Sequence, residues 1–401
     1  MTGSRIPIPQ EYKSQLRYVE SKDKRNDAEI LESLTEHVPI SSEKNIWTYW
    51  HAGVRAMPPW CQRNIINWVR LHGSEWTVRV LDTVPGSPNH ALKWISPNEL
   101  PECFVKGTMT GPYIGPHSAD FLRGAALYAY GGVWMDVGNV LFRHLDKICW
   151  DQLADEDTPY TISTPWMFAQ YMANHFIAAR KGDPFIKRWH ELFIHLWDGR
   201  DEHTGLSASP LIGFVANLSF EKVHERGFKW EYKVDELFVL GYVGQVIAWI
   251  RLAWLKEPNG GFDGVEYHAQ KVLYFDSLPE DWAAEMILGF KGEDLLNALN
   301  MSRGADQETE GYKKAYEAVW TMLTKSSLQK ITHGKGLTHD MHCGALLDLP
   351  ENEGKDTEAG TFGELLRYGS VHFEQTRESI EYVEALKPDP KQVIHKGLTE
   401  P

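Results

Sequence analysis

The chain has 401 residues, of which 42% are hydrophobic and 24% are charged, and its formal net charge is −14 at pH 7. This length and apolar content suit a globular enzyme with one large domain or two. The negative charge argues against a nucleic acid or an anionic membrane surface as partner, because both repel an acidic protein. A negatively charged ligand would then need individual arginine and lysine side chains in its binding cleft.

The sequence has no pattern typical of secretion or membrane anchoring. Its four cysteines lie far apart and form no Cys-x-x-Cys pair, which favours a reducing compartment. The first ten residues lack the apolar segment of a signal peptide, and no run approaches the ~18 apolar residues of a membrane span. These observations predict a cytoplasmic protein with no membrane span.

The first part of the chain predicts alternating strands and helices. Residues 1–42 are polar and charged and predict an N-terminal arm. Residues 45–51 predict a strand, a helix begins at Pro58, and residues 76–82 predict a second strand. This order favours a parallel sheet with right-handed crossovers. The long connection over residues 85–113 is typical of a functional segment such as a lid or an acceptor wall.

The segment over residues 117–142 is the most informative part of the sequence. It predicts a helix with Ser118 as its N-cap, a double-glycine stop and a buried strand that ends at Asp136. Asp120 and Arg123 are three residues apart, so they share one face of the first turns, where the helix dipole favours anions. A carboxylate at the end of a strand, beside an arginine of the neighbouring helix, suits a ligand that carries a diphosphate.

The later part of the chain predicts further elements of both kinds. Strands are expected over residues 160–164 and 174–179, and an amphipathic helix is expected over residues 185–197. Residues 234–256 predict one long helix that is apolar on nearly all sides, which we interpret as buried or facing an acceptor. A further helix is predicted over residues 312–323.

Two motifs resemble those of the DXD-type sugar-nucleotide glycosyltransferases, and of the capsular-polysaccharide-synthesis family with its fungal members in particular. They are Ser-x-Asp-x-x-Arg over residues 118–123 and Tyr-Gly-Gly-x-x-x-Asp over residues 130–136. The clostridial toxin glucosyltransferases are similar at a greater distance. The resemblance implies an α/β fold of the GT-A type, with a mostly parallel central sheet flanked by helices and with helical additions. It also implies a UDP-sugar donor, a hydroxyl acceptor and retention of the anomeric configuration.

The resemblance further implies roles for individual residues. Asp120, Arg123 and Asp136 are the predicted catalytic residues. A tryptophan at the position of Trp50 stacks on uracil in the toxin-like relatives, and the lysine of Gln-Lys-Ile-Thr-His supplies the point charge that a phosphate needs. The complete predicted donor site consists of Trp50, Asp120, Arg123, Asp136, Gly138, Asn174, His175, Lys330 and His333.

The motif departs from the family pattern at one position. The acid-x-acid pair of the family is here Asp136-Val137-Gly138, so the second acid and one expected metal contact are missing. The resemblance implies Mn²⁺ or Mg²⁺ as a cofactor, and Asp136 and His333 are the candidate ligands. The missing acid puts that metal requirement in question.

The resemblance also sets the predicted domain boundaries. Residues 43–345 are expected to form the GT-A glycosyltransferase domain, with a helical insertion at about 215–325. Residues 1–42 precede it as the arm, and residues 346–401 follow it as an acidic loop and a helical tail.

Other functions stay open at this point. The acceptor is either a small metabolite such as a terpenoid, as in secondary metabolism, or a polysaccharide or glycan chain. Gly138 motivates a non-catalytic sugar-nucleotide binder as an alternative. A metallohydrolase is the third class, because five metal-ligating residues crowd one segment, namely His333, His339, Asp340, His342 and Cys343.

Overall fold

The computed structural model describes residues 5–167, 171–217, 224–225 and 227–401. The first four residues of the predicted arm and part of the start of the predicted insertion lie outside these ranges. The strands are β1 (Leu16–Tyr18), β2 (Asn45–Tyr49), β3 (Thr77–Leu81), β4 (Gly132–Met135), β5 (Asn139–Leu141), β6 (Ile162–Met167), β7 (Tyr171–Met172), β8 (Phe176–Ala179), β9 (Val272–Asp276), β10 (Leu328–Lys330), β11 (Phe373–Gln375) and β12 (Tyr382–Val383). The α-helices are α1 (Asp27–Ser33), α2 (Pro59–His72), α3 (Glu102–Lys106), α4 (Ile114–Tyr130), α5 (Asp151–Ala154), α6 (Pro184–Leu196), α7 (Glu236–Tyr242), α8 (Gly244–Trp254), α9 (Gly264–Lys271), α10 (Ser277–Asp281), α11 (Ala283–Leu288), α12 (Gly292–Asn300), α13 (Glu310–Lys325), α14 (Cys343–Leu347) and α15 (Phe362–His372).

An eight-stranded sheet forms the centre of the molecule. Its order is β12-β9-β6-β8-β4-β2-β3, and β7 pairs with β6 outside this path. The pairs β2–β3, β2–β4 and β6–β9 are parallel, whereas β8 is antiparallel to both β4 and β6. Strands β3, β2, β4, β6 and β9 therefore run in one direction. The prediction of an α/β fold with a mostly parallel sheet and flanking helices is confirmed.

Alternating residues of the central strands pack on opposite faces of the sheet, as the two-residue period of a strand requires. On β4, Val133 packs in one hydrophobic cluster and Trp134 packs in the other. The first cluster also includes buried residues of α2, α13 and α15, and the second includes those of α4, α6 and α8. Both faces are thus covered by helices, which explains why the central strands are almost wholly apolar.

Helix α4 begins one turn earlier than the sequence analysis predicts. Tyr113, and not Ser118, occupies the N-cap position, and Pro116 lies in the first turn, where the missing N–H has no cost. Ser118 is a buried residue inside the helix. Asp120 and Arg123 consequently lie past the first turn, so their prediction as residues of the helix start is wrong.

The single long helix expected over residues 234–256 is two helices. Helices α7 and α8 meet at Val243 and are bent by 80°. Gly241 and Gly244 flank the bend, and each glycine lowers helix stability by ~1 kcal/mol relative to alanine. Gly244 also packs so closely on Leu206 that a Cβ atom there would lie 2.8 Å from a side-chain carbon of the leucine.

None of the described helices is alone long and apolar enough to cross a membrane. Only α7 and α8 together reach the required length and composition, and they do so as a sharply bent pair.

The two ends of the chain pack on the same core as the sheet. Ile6 and Ile8 of the predicted arm, and Phe373 and Ile380 near the other end, belong to the first hydrophobic cluster. The predicted helical tail contains the helix α15, but the residues after it form the short strands β11 and β12. Strand β11 pairs with β1 and β12 pairs with β9, so this part of the predicted helical tail is extended.

Candidate functional site

Asp136 follows the last residue of β4 and lies at the carboxyl end of the parallel strands. Its backbone N–H donates to the carbonyl of His175 at 3.0 Å, which fixes the acid between β4 and β8. One carboxylate oxygen accepts from Arg123 Nη2 at 3.1 Å and from the Trp134 indole at 3.2 Å. The other oxygen accepts from Lys330 Nζ at 2.7 Å. Both oxygens of this carboxylate are therefore held by cationic partners.

These cations control the charge of Asp136. Burial alone would raise the pKa of the carboxyl group, but Lys330 and Arg123 outweigh burial and hold the pKa well below its usual range. The carboxylate thus stays ionised at all physiological pH values.

Arg123 is buried and connects two carboxylates. Its Nη1 atom donates to Asp120 Oδ1 at 2.5 Å and also to the side-chain oxygen of Gln245. The guanidinium stacks on the Trp134 ring, with its central carbon 5.3 Å from the ring centroid. Its Nε atom is buried and has no hydrogen-bond partner among the described residues. Three of its five N–H groups are committed to Asp120, Gln245 and Asp136, so the arginine is rigidly placed.

Asn174, a predicted donor-site residue, joins the same network. Its side-chain amide donates to Asp120 Oδ1 and to Gln245 Oε1, both at 3.1 Å. Gln245 in turn donates to the backbone carbonyl of Asp120 at 2.5 Å. The network connects α4, the segment before β8 and α8, so these three elements share one polar centre.

Lys330 reaches the site because β10 pairs antiparallel with β5. In this register Lys330 lies opposite Asn139, three residues after Asp136. The lysine is 6% exposed, and its side chain lines the cavity. A residue 194 positions away from Asp136 in sequence is thus brought into direct contact with it.

His175 lies beside Asp136, but its ring bonds to a residue behind the cavity. Its Nε2 atom is 2.8 Å from Oδ2 of Asp281, a fully buried acid that also accepts from Ser277 at 2.5 Å. Burial raises the pKa of Asp281. The predicted sugar contact of His175 would therefore be made by a ring that a second residue orients.

The glycine at the second acid position is required by its surroundings. A Cβ atom on Gly138 would lie 2.2 Å from Oγ1 and 2.9 Å from Cγ2 of Thr332. The backbone N–H of Ile331 donates to the Gly138 carbonyl at 3.0 Å, so the two segments cannot separate without losing this bond. No side chain fits at position 138 while Thr332 keeps its place.

All nine residues of the predicted donor site line one cavity of about 650 Å³. Trp50 is half-buried at its wall, with its ring 5.7 Å from the ring of His51. His333 also lines this cavity, and burial lowers the pKa of its imidazole to about 4. His333 is therefore neutral at physiological pH and offers a hydrogen bond but no positive charge.

A large part of the cavity wall is apolar and comes from the bent helix pair. The two helices and the residue that joins them contribute six lining residues, namely Val239, Leu240, Tyr242, Val243, Val246 and Ile247. Burial raises the pKa of the Tyr242 phenol, which is consistent with an apolar setting. The cavity thus combines a charged end around Asp136 with an extended apolar surface.

Within the part of the chain that the structure describes, the cavity holds no group of three protein side chains placed to share one metal ion. Among the described residues, one group brings three potential ligands within reach of one ion, and it consists of Glu75, His144 and Asp146. That group lies outside the cavity, and its Asp146 is already bonded by Lys44 at 2.8 Å. The predicted ligand pair Asp136 and His333 is not part of it.

The histidine-rich segment also lacks the geometry of a metallohydrolase. The rings of His333 and His342 are 4.9 Å apart, but no third ligand from the described residues completes a set with them. His342 caps α14 through a hydrogen bond from Ala345 N at 3.0 Å, and burial lowers its pKa to about 3. Burial raises the pKa of Cys343, so its thiol stays protonated and is a poor ligand.

Several residues of the site escape analysis of the sequence. Gln245 is a lone buried amide in an apolar helix, and this isolation is the one local signal that marks it. The sequence pattern indicates a core residue at Trp134, whose indole donates to Asp136 two positions away. It indicates a surface residue at Asp281, whose partner His175 lies in a distant segment.

Comparison with known proteins gives a consistent picture. Residues 8–205 match the family model described as capsular polysaccharide synthesis protein. The chain is 49% identical to the probable glycosyltransferase FCK3 of Fusarium pseudograminearum, over 98% of this chain and 99% of that protein. It is 38% identical to the O-glycosyltransferase braB of Annulohypoxylon truncatum, over 94% of this chain and 91% of that protein. Among solved structures, the PaToxG glycosyltransferase matches 55% of this chain and 84% of its own chain, with 15% identity and a TM-score of 0.31.

Proposed function

Because this chain belongs to the capsular polysaccharide synthesis family of glycosyltransferases, we propose that it transfers a hexose from a UDP-sugar to a hydroxyl group of a small apolar acceptor. The observation that carries this proposal is the cluster of Asp120, Arg123, Asp136 and Lys330 at one end of the cavity. It places two fixed cations beside two carboxylates at the carboxyl end of a parallel strand, where α/β proteins bind nucleotides.

Each side chain of the cluster has a proposed task in donor binding. Arg123 and Lys330 neutralise the diphosphate, because an acidic protein needs local positive charge to hold an anion. Asp120 and Asp136 accept hydrogen bonds from the hydroxyl groups of the donor. Trp50 offers a ring for stacking against uracil.

Asn174 and His175 orient the donor sugar in this proposal, and Gly138 lines the cavity beside them. His333, which is neutral, donates or accepts a hydrogen bond at the edge of the diphosphate. No step of the proposed reaction is assigned to Mn²⁺ or Mg²⁺, because both oxygens of Asp136 already have a cationic partner, Arg123 on one and Lys330 on the other.

We also propose that the reaction retains the anomeric configuration. In such chemistry the leaving phosphate itself takes the proton of the acceptor hydroxyl, so no free protein base is needed. The cluster supports this view, because Asp120 and Asp136 are both held in ion pairs with Arg123. Burial opposes this effect, but Lys330 and Arg123 hold the pKa of the Asp136 carboxyl group well below its usual range, so Asp136 is a weak base. NMR analysis of the anomeric proton in donor and product tests this part.

The apolar wall supports a small apolar acceptor, for example a terpenoid of secondary metabolism. Most of the lining residues from the bent helix pair are aliphatic. Such a wall would leave the hydroxyl groups of a polysaccharide without hydrogen-bond partners, whereas it suits an apolar molecule. The relative braB is named as an O-glycosyltransferase, which is consistent with a hydroxyl group as the acceptor site.

The domain layout and the location of the protein are also proposals. We keep residues 43–345 as the transferase domain, with residues 1–42 and 346–401 as additions that pack on it. All four cysteines are free and buried, which supports a cytoplasmic location.

The experiment that tests the function combines two panels. The purified chain is incubated with UDP-glucose, UDP-galactose and UDP-N-acetylglucosamine, each with terpenoid alcohols or with oligosaccharides, and products are followed by mass spectrometry. Asp136→Ala should abolish transfer, with circular dichroism as the check on folding. Transfer to oligosaccharides alone would refute the apolar acceptor. Tight UDP binding without transfer to any acceptor would indicate the non-catalytic binder.

A further inference from the structure

Lys330 occupies an unusual place for a lysine. Its side chain is almost fully buried, and its ammonium group lies 2.7 Å from a carboxylate oxygen of Asp136. An ammonium group has three N–H donors, and this carboxylate uses one of them. The remaining donors are available to an anionic ligand in the cavity. A buried lysine that holds an acid at a ligand site is costly for stability, which favours a functional role.

The segment that carries Lys330 also removes the second acid. Thr332 lies two residues further on, and its side chain fills the space that a Cβ atom of residue 138 would need. One short stretch of chain therefore brings a positive charge to Asp136 and prevents a second negative charge next to it. The net change relative to an acid-x-acid pair is two charge units toward positive.

The other acid at this end of the cavity is equally committed. Asp120 accepts through Oδ1 from Arg123 and Asn174, and its Oδ2 atom is 3.3 Å from His117 Nδ1. Across the described ranges, no three ligand atoms of the cavity come close enough together to share one ion. Arg123 and Lys330 are buried cations at this end of the cavity, and they can balance the charge of the donor diphosphate.

Building on the proposed function, we infer that Lys330 takes the place of a divalent cation, so that donor binding and transfer require no metal. In the transfer step the bond between the anomeric carbon and the β-phosphate oxygen breaks, and its electron pair stays on that oxygen. The acceptor oxygen forms the new bond to the anomeric carbon, and its proton passes to the departing phosphate. Lys330 and Arg123 stabilise the negative charge that develops on UDP.

The first test uses the unchanged chain. UDP affinity is measured by isothermal titration calorimetry after dialysis against EDTA, and again with added Mn²⁺ or Mg²⁺. The inference requires affinities that agree within about twofold and transfer rates that EDTA does not lower. UDP binding or transfer that disappears with EDTA and returns with Mn²⁺ would overturn the inference and leave the proposed function standing. No UDP binding under either condition would instead defeat the proposed function.

The second test uses variants of the lysine. Lys330→Ala should weaken UDP binding on the order of 10- to 100-fold, the usual effect of losing a charge-assisted hydrogen bond. Lys330→Arg should recover part of this loss, and Mn²⁺ should not rescue Lys330→Ala. Lys325→Ala, which removes an exposed lysine at the end of α13, is the matched control and should bind UDP normally. Normal UDP affinity of folded Lys330→Ala would refute the role of the lysine.

Discussion

Gln245 offers a sharp test of how the site is held together. Its side chain accepts from Arg123 and from Asn174 and donates to the carbonyl of Asp120, although it does not line the cavity. We predict that Gln245→Ala disorders Arg123 and Asn174 without touching the donor. It is a positioning residue, so its loss should be visible in donor kinetics as well as in stability.

The magnitude follows from the bonds that disappear. One lost hydrogen bond involves a charged guanidinium and is worth about 1.5–3 kcal/mol, and the two neutral ones are worth about 0.5–1.5 kcal/mol each. Arg123 and Asn174 keep their bonds to Asp120, which offsets part of this loss. We expect the free energy of unfolding to fall by about 3 kcal/mol and kcat/KM for the donor to fall at least ~10-fold.

Gln375 is the matched control, because it is a buried glutamine with the same number of side-chain hydrogen bonds. It donates to the carbonyls of Leu323 and Ser326 and accepts from Arg377 at 2.7 Å. Urea unfolding should give similar losses of stability for Gln375→Ala and Gln245→Ala. Only Gln245→Ala should change KM for UDP-sugar. Equal donor kinetics in the two variants would refute the positioning role.

Three further perturbations probe the charge, the close packing and the protonation of the molecule. Asp136→Asn keeps the shape but removes the anion between Lys330 and Arg123, so kcat/KM for the donor should fall by ~100-fold or more in a transfer assay. Gly138→Ala should cost about 1–3 kcal/mol in urea unfolding because of the overlap with Thr332, and the double variant with Thr332→Gly should recover most of it. Burial lowers the pKa of His268 and of several other histidines to about 4, so the unfolded chain takes up protons first as the pH falls. The free energy of unfolding should therefore decrease from about pH 6.5 toward pH 4, and a flat profile in urea titrations would contradict this.

Much of the fold is predictable from the sequence because the relevant patterns are local. The alternating and continuous apolar runs predict the strands β2, β3, β4, β6 and β8 to within a few residues, and the double glycine predicts the end of α4. Long-range contacts decide the elements that are predicted wrongly. The bend at Val243 is an example, since an apolar periodicity continues through it and only packing against other segments fixes the break.

The site divides in the same way between local and distant information. Asp120, Arg123 and Asp136 lie within one helix-turn-strand unit, so their spacing in the sequence already predicts that they meet. Gln245 lies 122 residues after Arg123, and no pattern in a single sequence connects the two. Lys330 becomes predictable only through resemblance to a family, because its contact with Asp136 depends on the register of β10.

That register determines the charge of the whole site. Side chains of successive strand residues point to opposite faces, so a shift of β10 by one residue would exchange Lys330 for Gln329 beside Asp136. The present register is fixed on the other face of the strand, where the Gln329 side chain donates to Glu285 at 2.6 Å and accepts from Ala284 N at 3.0 Å. Burial raises the pKa of Glu285 to about 8, so its carboxyl group is mostly protonated at neutral pH. The positive charge at the candidate site therefore depends on the hydrogen bonds of Gln329 on the opposite face of the strand. A substitution that removes these bonds should weaken the contact between Lys330 and Asp136.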